Sequence, residues 1–163
     1  MLSWSLIERK TMPSLAFIGL ILWAACLNVT AQDKFEARTL SKKYDVSVDV
    51  YGCENGLCSG KVVFSIFKKR AKKPFQQIHL KETFIRLNDN GQPDFVSVSE
   101  KTSGKWSALY LDDFNFDGLE DLALPDGDNG GYRGTSYRIY LYDRSKDRFV
   151  YSNSFTRLAQ GPY

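Results

Sequence analysis

Asp113, Asn115 and Asp117 stand at alternate positions, Gly118 follows, and Asp121 comes four residues after Asp117. This places hard oxygen donors at positions 1, 3, 5 and 9 of a tight loop, which is the donor chemistry of calcium. That ion takes six to eight oxygens at about 2.3–2.6 Å, so short carboxylate arms reach it only where the chain wraps around it. Gly118 permits the wrap because, without a Cβ, it enters positive φ at little cost. The carbonyl of Leu119, at position 7, is the expected backbone ligand. The pattern departs from an EF-hand, which wants a bidentate Glu at position 12 and flanking helices. Position 12 is Leu124, and the flanks Trp106–Leu111 and Leu122–Leu124 read as strands, so Asp121 must supply the missing carboxylate. The competing reading is a turn rich in Asp and Asn, held by local hydrogen bonds. Charge favours the ion. Between Lys105 and Arg133 lie seven acidic residues and no basic one, and that crowding repels itself unless a cation joins it.

The segment after the loop, Pro125–Ser136, holds four glycines between Gly127 and Ser136 and so belongs at the surface. It displays Tyr132 and Arg133, residue types that often anchor interfaces. A calcium ion just upstream would hold its base still and lower the ordering cost of binding a partner. The plainer alternative is a Gly-rich connection between sheets, with Asp126 or Asp128 as additional calcium ligands.

Asp-x-Asn-x-Asp-Gly-x-x-Asp between two strands resembles the calcium loops of integrin-type (FG-GAP) repeats. With Gly130-Gly-Tyr-Arg-Gly-Thr-Ser-Tyr137 and the Tyr140-Leu-Tyr-Asp143 strand, residues 109–155 resemble a narrower group. These are calcium-binding envelope proteins of bacteria that act as immunity proteins by inhibiting lysozyme-like effectors from rival cells. The resemblance implies a protein partner of that kind, with Tyr132 and Arg133 entering a muramidase cleft and Arg133 facing a catalytic carboxylate. It also implies a propeller-like arrangement, and one or two strands beyond the end at Gln160-Gly-Pro-Tyr163.

The rest of the chain must position the loop. Tyr44, Val46, Val48 and Val50 alternate with Asp45, Ser47 and Asp49, the two-residue period of a half-buried strand. Val62–Phe67 is apolar on both faces and reads as central. Phe75–Leu80, Thr83–Leu87, Phe95–Val98, Tyr137–Tyr142 and Phe149–Phe155 are further candidates. Turns fall at Asn88–Gly91, Lys101–Gly104 and Arg144–Asp147. Short strands at this spacing without a helical period predict an all-β, antiparallel fold, either a sandwich or a propeller-like set of small sheets. Asn88–Phe95 also echoes Asn115–Leu122 at an offset of 27 residues, but Arg86 stands where Asp113 should be. If it is a repeat, it keeps the turn and has lost the ion.

Residues 1–31 read as a cleavable signal peptide, with Met1 or Met12 as the start. Arg9 and Lys10 precede the apolar run Leu15–Ala25, shorter than the roughly 20 residues a membrane span needs. Val29-Thr30-Ala31 then offers small residues for cleavage. Ala24-Ala25-Cys26 partly fits a lipoprotein signal, so a periplasmic or secreted protein and one anchored through Cys26 are the two expected outcomes. Residues 32–163 then form one domain by size.

Cys53 and Cys58 flank Asn55-Gly56, a strong hairpin dipeptide, and predict a disulfide in an oxidising compartment. A formal net charge of +3 is too small to imply a nucleic-acid partner. Lys68-Lys-Arg-Ala-Lys-Lys73 offers five positive charges in six residues, either for anionic partners or as a solvated tip that discourages edge pairing. No catalytic set presents itself, since His79 lacks a partner and the clustered carboxylates suit one cation better than a glycosidase pair. A carbohydrate-binding or adhesion module, stacking Trp106 on sugar rings, is the alternative binding role.

Overall fold

The computed structural model describes residues 32–95, 107–128 and 135–159; the expected signal segment, Trp106, Tyr132 and Arg133 lie outside them. The chain is an antiparallel β protein. Strands β1 (Gln32–Ala37), β2 (Tyr44–Tyr51), β5 (Val62–Lys68) and β6 (Gln76–Leu80) form one four-stranded sheet in the order β1-β2-β5-β6. β8 (Tyr110–Asp112), β9 (Asp121–Asp128), β10 (Thr135–Asp143) and β11 (Arg148–Tyr151) form a second, in the order β11-β10-β9-β8. Between them in sequence, β3 (Cys53–Glu54), β4 (Leu57–Ser59) and β7 (Phe84–Arg86) make a small third sheet.

The period-two reading of β2 holds on its inner face, where Tyr44, Val46, Val48 and Val50 are buried. β5 is central, between β2 and β6, with Phe64 and Ile66 fully enclosed. One apolar core joins these residues to Leu109, Leu111, Leu122, Leu124 and Phe149 of the second sheet. Two sheets sharing a core form a sandwich. At the seam, Tyr44 meets Phe149 edge-on at 5.3 Å and lies 6.3 Å from Tyr142. The facing edges are stitched by a side chain: Gln76 Nε2 donates to the carbonyl of Phe149, and the Phe149 N–H donates back to Gln76 Oε1, both at 2.8 Å. A glutamine amide thus serves as the missing strand partner and satisfies the edge of β11.

The second sheet is covered on its other face too, where Tyr110, Ala123 and Ile139 pack with Phe155. Here the structure corrects the expectation for Phe149–Phe155. The strand ends at Tyr151, and Asn153–Ala159 is an α-helix, α1. Seven residues span barely two turns, too few to show a helical period, and Phe155 and Thr156 are residue types that strands favour. Tertiary contact settles it. Ile139 N–H donates to Thr156 Oγ1 at 2.9 Å, docking the helix on β10. No helix among the described residues is long and apolar enough to cross a membrane. Of the expected Phe95–Val98 strand, all but Phe95 falls outside the described residues, and Phe95 itself is in no strand.

The cysteine expectation is met. Cys53 pairs with Cys58 in register and the two are disulfide-bonded. Asn55 and Gly56 sit at φ +52° and +78°, the two left-handed positions of a type I′ turn. Cys58 is fully buried in the shared core, so the bond staples the small sheet to it. Closing so short a loop is worth about 2 kcal/mol in the chain-entropy account. The double replacement of Cys53 and Cys58 by Ala should lower unfolding free energy by at least that amount. A urea midpoint unmoved by the change would show that the Asn-Gly turn alone holds the hairpin.

Candidate functional site

β8 and β9 pair from Tyr110↔Ala123 to Asp112↔Asp121, so residues 113–120 form the loop of a hairpin. Its oxygens turn inward. Asp113 accepts the N–H groups of Asp117 at 3.0 Å and Gly118 at 2.8 Å. Asn115 Oδ1 accepts the same Asp117 N–H at 3.1 Å, while its amide donates to Asp117 Oδ2 at 2.9 Å. Asp117 Oδ1 accepts the N–H of Leu119 at 2.9 Å. Gly118 adopts φ +82°, as the wrap requires.

Asp121 differs from the others in being fully buried. One of its oxygens accepts the N–H of Phe114 at 3.1 Å, and the other accepts the N–H of Tyr142 at 2.8 Å. The β9–β10 ladder stops at Leu122↔Tyr140, so the Asp121 carboxylate replaces the strand partner that Tyr142 lacks. Burial pushes its pKa up, the two amide bonds pull it down, and the charges of Asp117 and Asp113 raise it further. Glu120 braces the loop from the side: Ser41 Oγ–H donates to it at 2.8 Å and accepts the N–H groups of Lys43 and Tyr44.

The donor chemistry fits a hard cation. Asp113, Asn115 and Asp117 turn their oxygens onto backbone N–H groups of the loop, and a carboxylate oxygen with one amide bond keeps a second lone pair. Among the described residues no Lys or Arg forms an ion pair with Asp112, Asp113, Asp117, Glu120 or Asp121. Yet no three carboxylate, His or Cys side chains there stand together as a finished metal set. The Asn115 oxygen and the Leu119 carbonyl would have to complete the shell. Asp126 is elsewhere, hydrogen-bonded to Ser136 and 3.3 Å from Arg138 Nε. Asp126 lies five strand steps beyond Asp121, roughly 16 Å, so it cannot reach the same ion. Of Asp128 only the backbone is described.

Sequence reasoning missed the Glu120–Ser41 brace and Phe116. Phe116 is 92% exposed at φ +60°, an apolar side chain held in a conformation such residues rarely adopt. An aromatic between two ligand positions was the available signal. His79 lies exposed on β6. The echo at Asn88 repeats the turn: Asn88 Oδ1 accepts the N–H of Asn90 at 3.0 Å and Gly91 sits at φ +69°, matching Asn115 and Gly118.

No family model matches the chain, and no curated protein matches it. It is similar in fold to a solved structure described as that of a Xanthomonas Type IV Secretion System related protein, with a TM-score of 0.55 and 20% identity. The match covers 80% of this chain and 65% of that one, so the chain spans about two-thirds of its neighbour's length. At that identity the likeness concerns the fold.

Replacing Asp121 by Ala should leave the Phe114 and Tyr142 N–H groups without their acceptor and cost about 1–3 kcal/mol. Asp121→Asn retains one acceptor and should cost less. Denaturant midpoints measure both, and equal loss in the two variants would count against this role for the second oxygen.

Proposed function

We propose that this is an exported calcium-binding protein that inhibits a lysozyme-like, peptidoglycan-cleaving effector as an immunity protein. The observation that carries the calcium reading is the set of oxygens that Asp113, Asn115 and Asp117 turn into one braced hairpin loop, with which no Lys or Arg among the described residues pairs. The Leu119 carbonyl and Asp121 complete the donor set. Calcium there would cross-link the loop and hold the base of the segment that bears Tyr132 and Arg133. Phe116, exposed at the loop tip, adds an apolar contact for the partner. Export is supported by the disulfide, since such bonds persist in oxidising compartments; the choice between soluble protein and Cys26 lipoprotein rests on the signal segment. The inhibitory role is supported by the resemblance of residues 109–155 to the immunity group. The secretion-related description of the structural neighbour is in keeping with it.

Titration calorimetry should register calcium binding, and thermal melting should rise with free calcium. At a hundredfold excess over the dissociation constant the gain is about 2.7 kcal/mol. Asp113→Ala with Asp117→Ala should remove both signals, and a wild-type protein without heat or melting shift would refute the metal.

For the partner, affinity capture from envelope extract should recover one muramidase whose lysis of peptidoglycan the protein blocks. Tyr132→Ala with Arg133→Ala should abolish that block while leaving calcium binding and melting unchanged. Retention on peptidoglycan alone, with no protein captured, would favour the carbohydrate-binding alternative.

A further inference from the structure

The basic run Lys68–Lys73 is divided by the fold. Lys68 pairs with Asp147 at 2.7 Å. Lys69 Nζ pairs with Asp45 at 2.5 Å and donates to the carbonyl of Arg38 at 2.6 Å. The Lys69 N–H donates to the carbonyl of Lys43, and Ala71 N–H to that of Lys68. The β5–β6 connection is therefore pinned at Lys69 to the ends of β1 and β2. Arg70 is held at φ +67°, a region that residues with a Cβ rarely adopt.

Beneath the connection lies a cleft of about 390 Å³, lined by Lys34, Arg38, Ser47, Arg70 and Lys72 among others. Its two carboxylates are already matched, Glu36 to Arg38 at 2.5 Å and Asp45 to Lys69. Lys34, Arg70 and Lys72 have no anionic partner among the described residues. A second observation is independent of charge. Ser47, on the outer face of β2, is only 4% exposed, and its Oγ is the one buried side-chain polar atom without a hydrogen-bond partner among the described residues. The facing Ser65 accepts from Gln77 Nε2 at 2.9 Å and forms no hydrogen bond with the Ser47 hydroxyl. A buried hydroxyl left in this way is costly, and native proteins seldom keep one without a use.

We propose that this cleft binds a phosphoryl oxyanion, with Arg70, Lys72 and Lys34 supplying the charge and the Ser47 hydroxyl a neutral donor. Three uncompensated cations favour a doubly charged group over a single carboxylate. The Arg70 guanidinium offers the planar fork that phosphate oxygens match. The volume exceeds that of a bare phosphate and leaves room for the group that bears it. Nothing here depends on the calcium loop.

The test is calorimetry of the purified protein with inorganic phosphate, in chelator and about 0.15 M salt, where surface attraction is largely screened. Saturable binding is expected. Arg70→Glu with Lys72→Glu should weaken it at least tenfold. Ser47→Val should weaken it several-fold without lowering the melting temperature, because the hydroxyl makes no bond in the free protein. Lys73→Glu, just outside the cleft, should leave it unchanged. Absence of saturable binding, equal affinity in the Arg70/Lys72 or Ser47 variants, or an equal loss with Lys73→Glu would each overturn the site.

Sedimentation with phosphatidylglycerol vesicles, against phosphatidylcholine as control, separates the sources. Sedimentation that inorganic phosphate displaces identifies a lipid headgroup, and phosphate binding without sedimentation identifies a soluble phosphate compound. Sedimentation that phosphate does not displace counts against the cleft.

Discussion

The buried carboxylate of Asp121 is the constraint from which the arrangement of the loop follows. Burying an ionised group is tolerable only when hydrogen bonds replace its water, and two amides do so here, one from each side. The Phe114 bond fixes where the loop begins to turn, and the Tyr142 bond extends β10 past the end of its ladder. Tyr142 stands edge-on to Phe149 at 5.3 Å, and Phe149 is the residue that Gln76 holds to the first sheet. A carboxylate at the base of one hairpin is thus two contacts from the seam of the sandwich. The charges of Asp113 and Asp117 act against its ionisation, so a cation in the loop would relieve the same strain that burial creates.

Much of the fold was legible because its signals are local. The alternation in β2, the largely apolar β5 and the Asn55-Gly56 turn each depend on neighbours a few residues apart, and each appears as expected. The turn of the loop was legible for the same reason: Asp113, Asn115 and Asp117 accept backbone N–H groups within five residues, and Gly118 takes the positive φ. What escaped was non-local. Glu120 meets Ser41 across 79 residues and Gln76 meets Phe149 across 73, with nothing in either residue type to announce its partner. α1 was hidden because, although Arg157, Leu158 and Ala159 are good helix formers, Phe155 and Thr156 favour a strand. The low local period of a seven-residue helix could not compete with that.

A small net charge concealed a strong separation of charge. Asp112, Asp113, Asp117, Glu120 and Asp121 gather at the β8–β9 loop, where no Lys or Arg among the described residues pairs with them, while the basic run is laid over the outer face of β1 and β2. Each set is fixed by its own bonds, Glu120 to Ser41 at one place and Lys69 to Asp45 and Arg38 at the other.

Both sets grip the same short connection between β1 and β2. Arg38 begins it and gives its carbonyl to Lys69; Ser41, within it, binds Glu120; Lys43, at its end, gives its carbonyl to the Lys69 N–H. Ser41 also accepts the N–H groups that launch β2. An ion that drew Glu120 toward the loop would pull on Ser41, and through it on the strand start that supports the basic cleft. An anion in the cleft would act on the same connection from the other end. The acidic loop and the basic cleft are therefore joined by a few bonded residues, with the Ser41 hydroxyl as the link on the loop side.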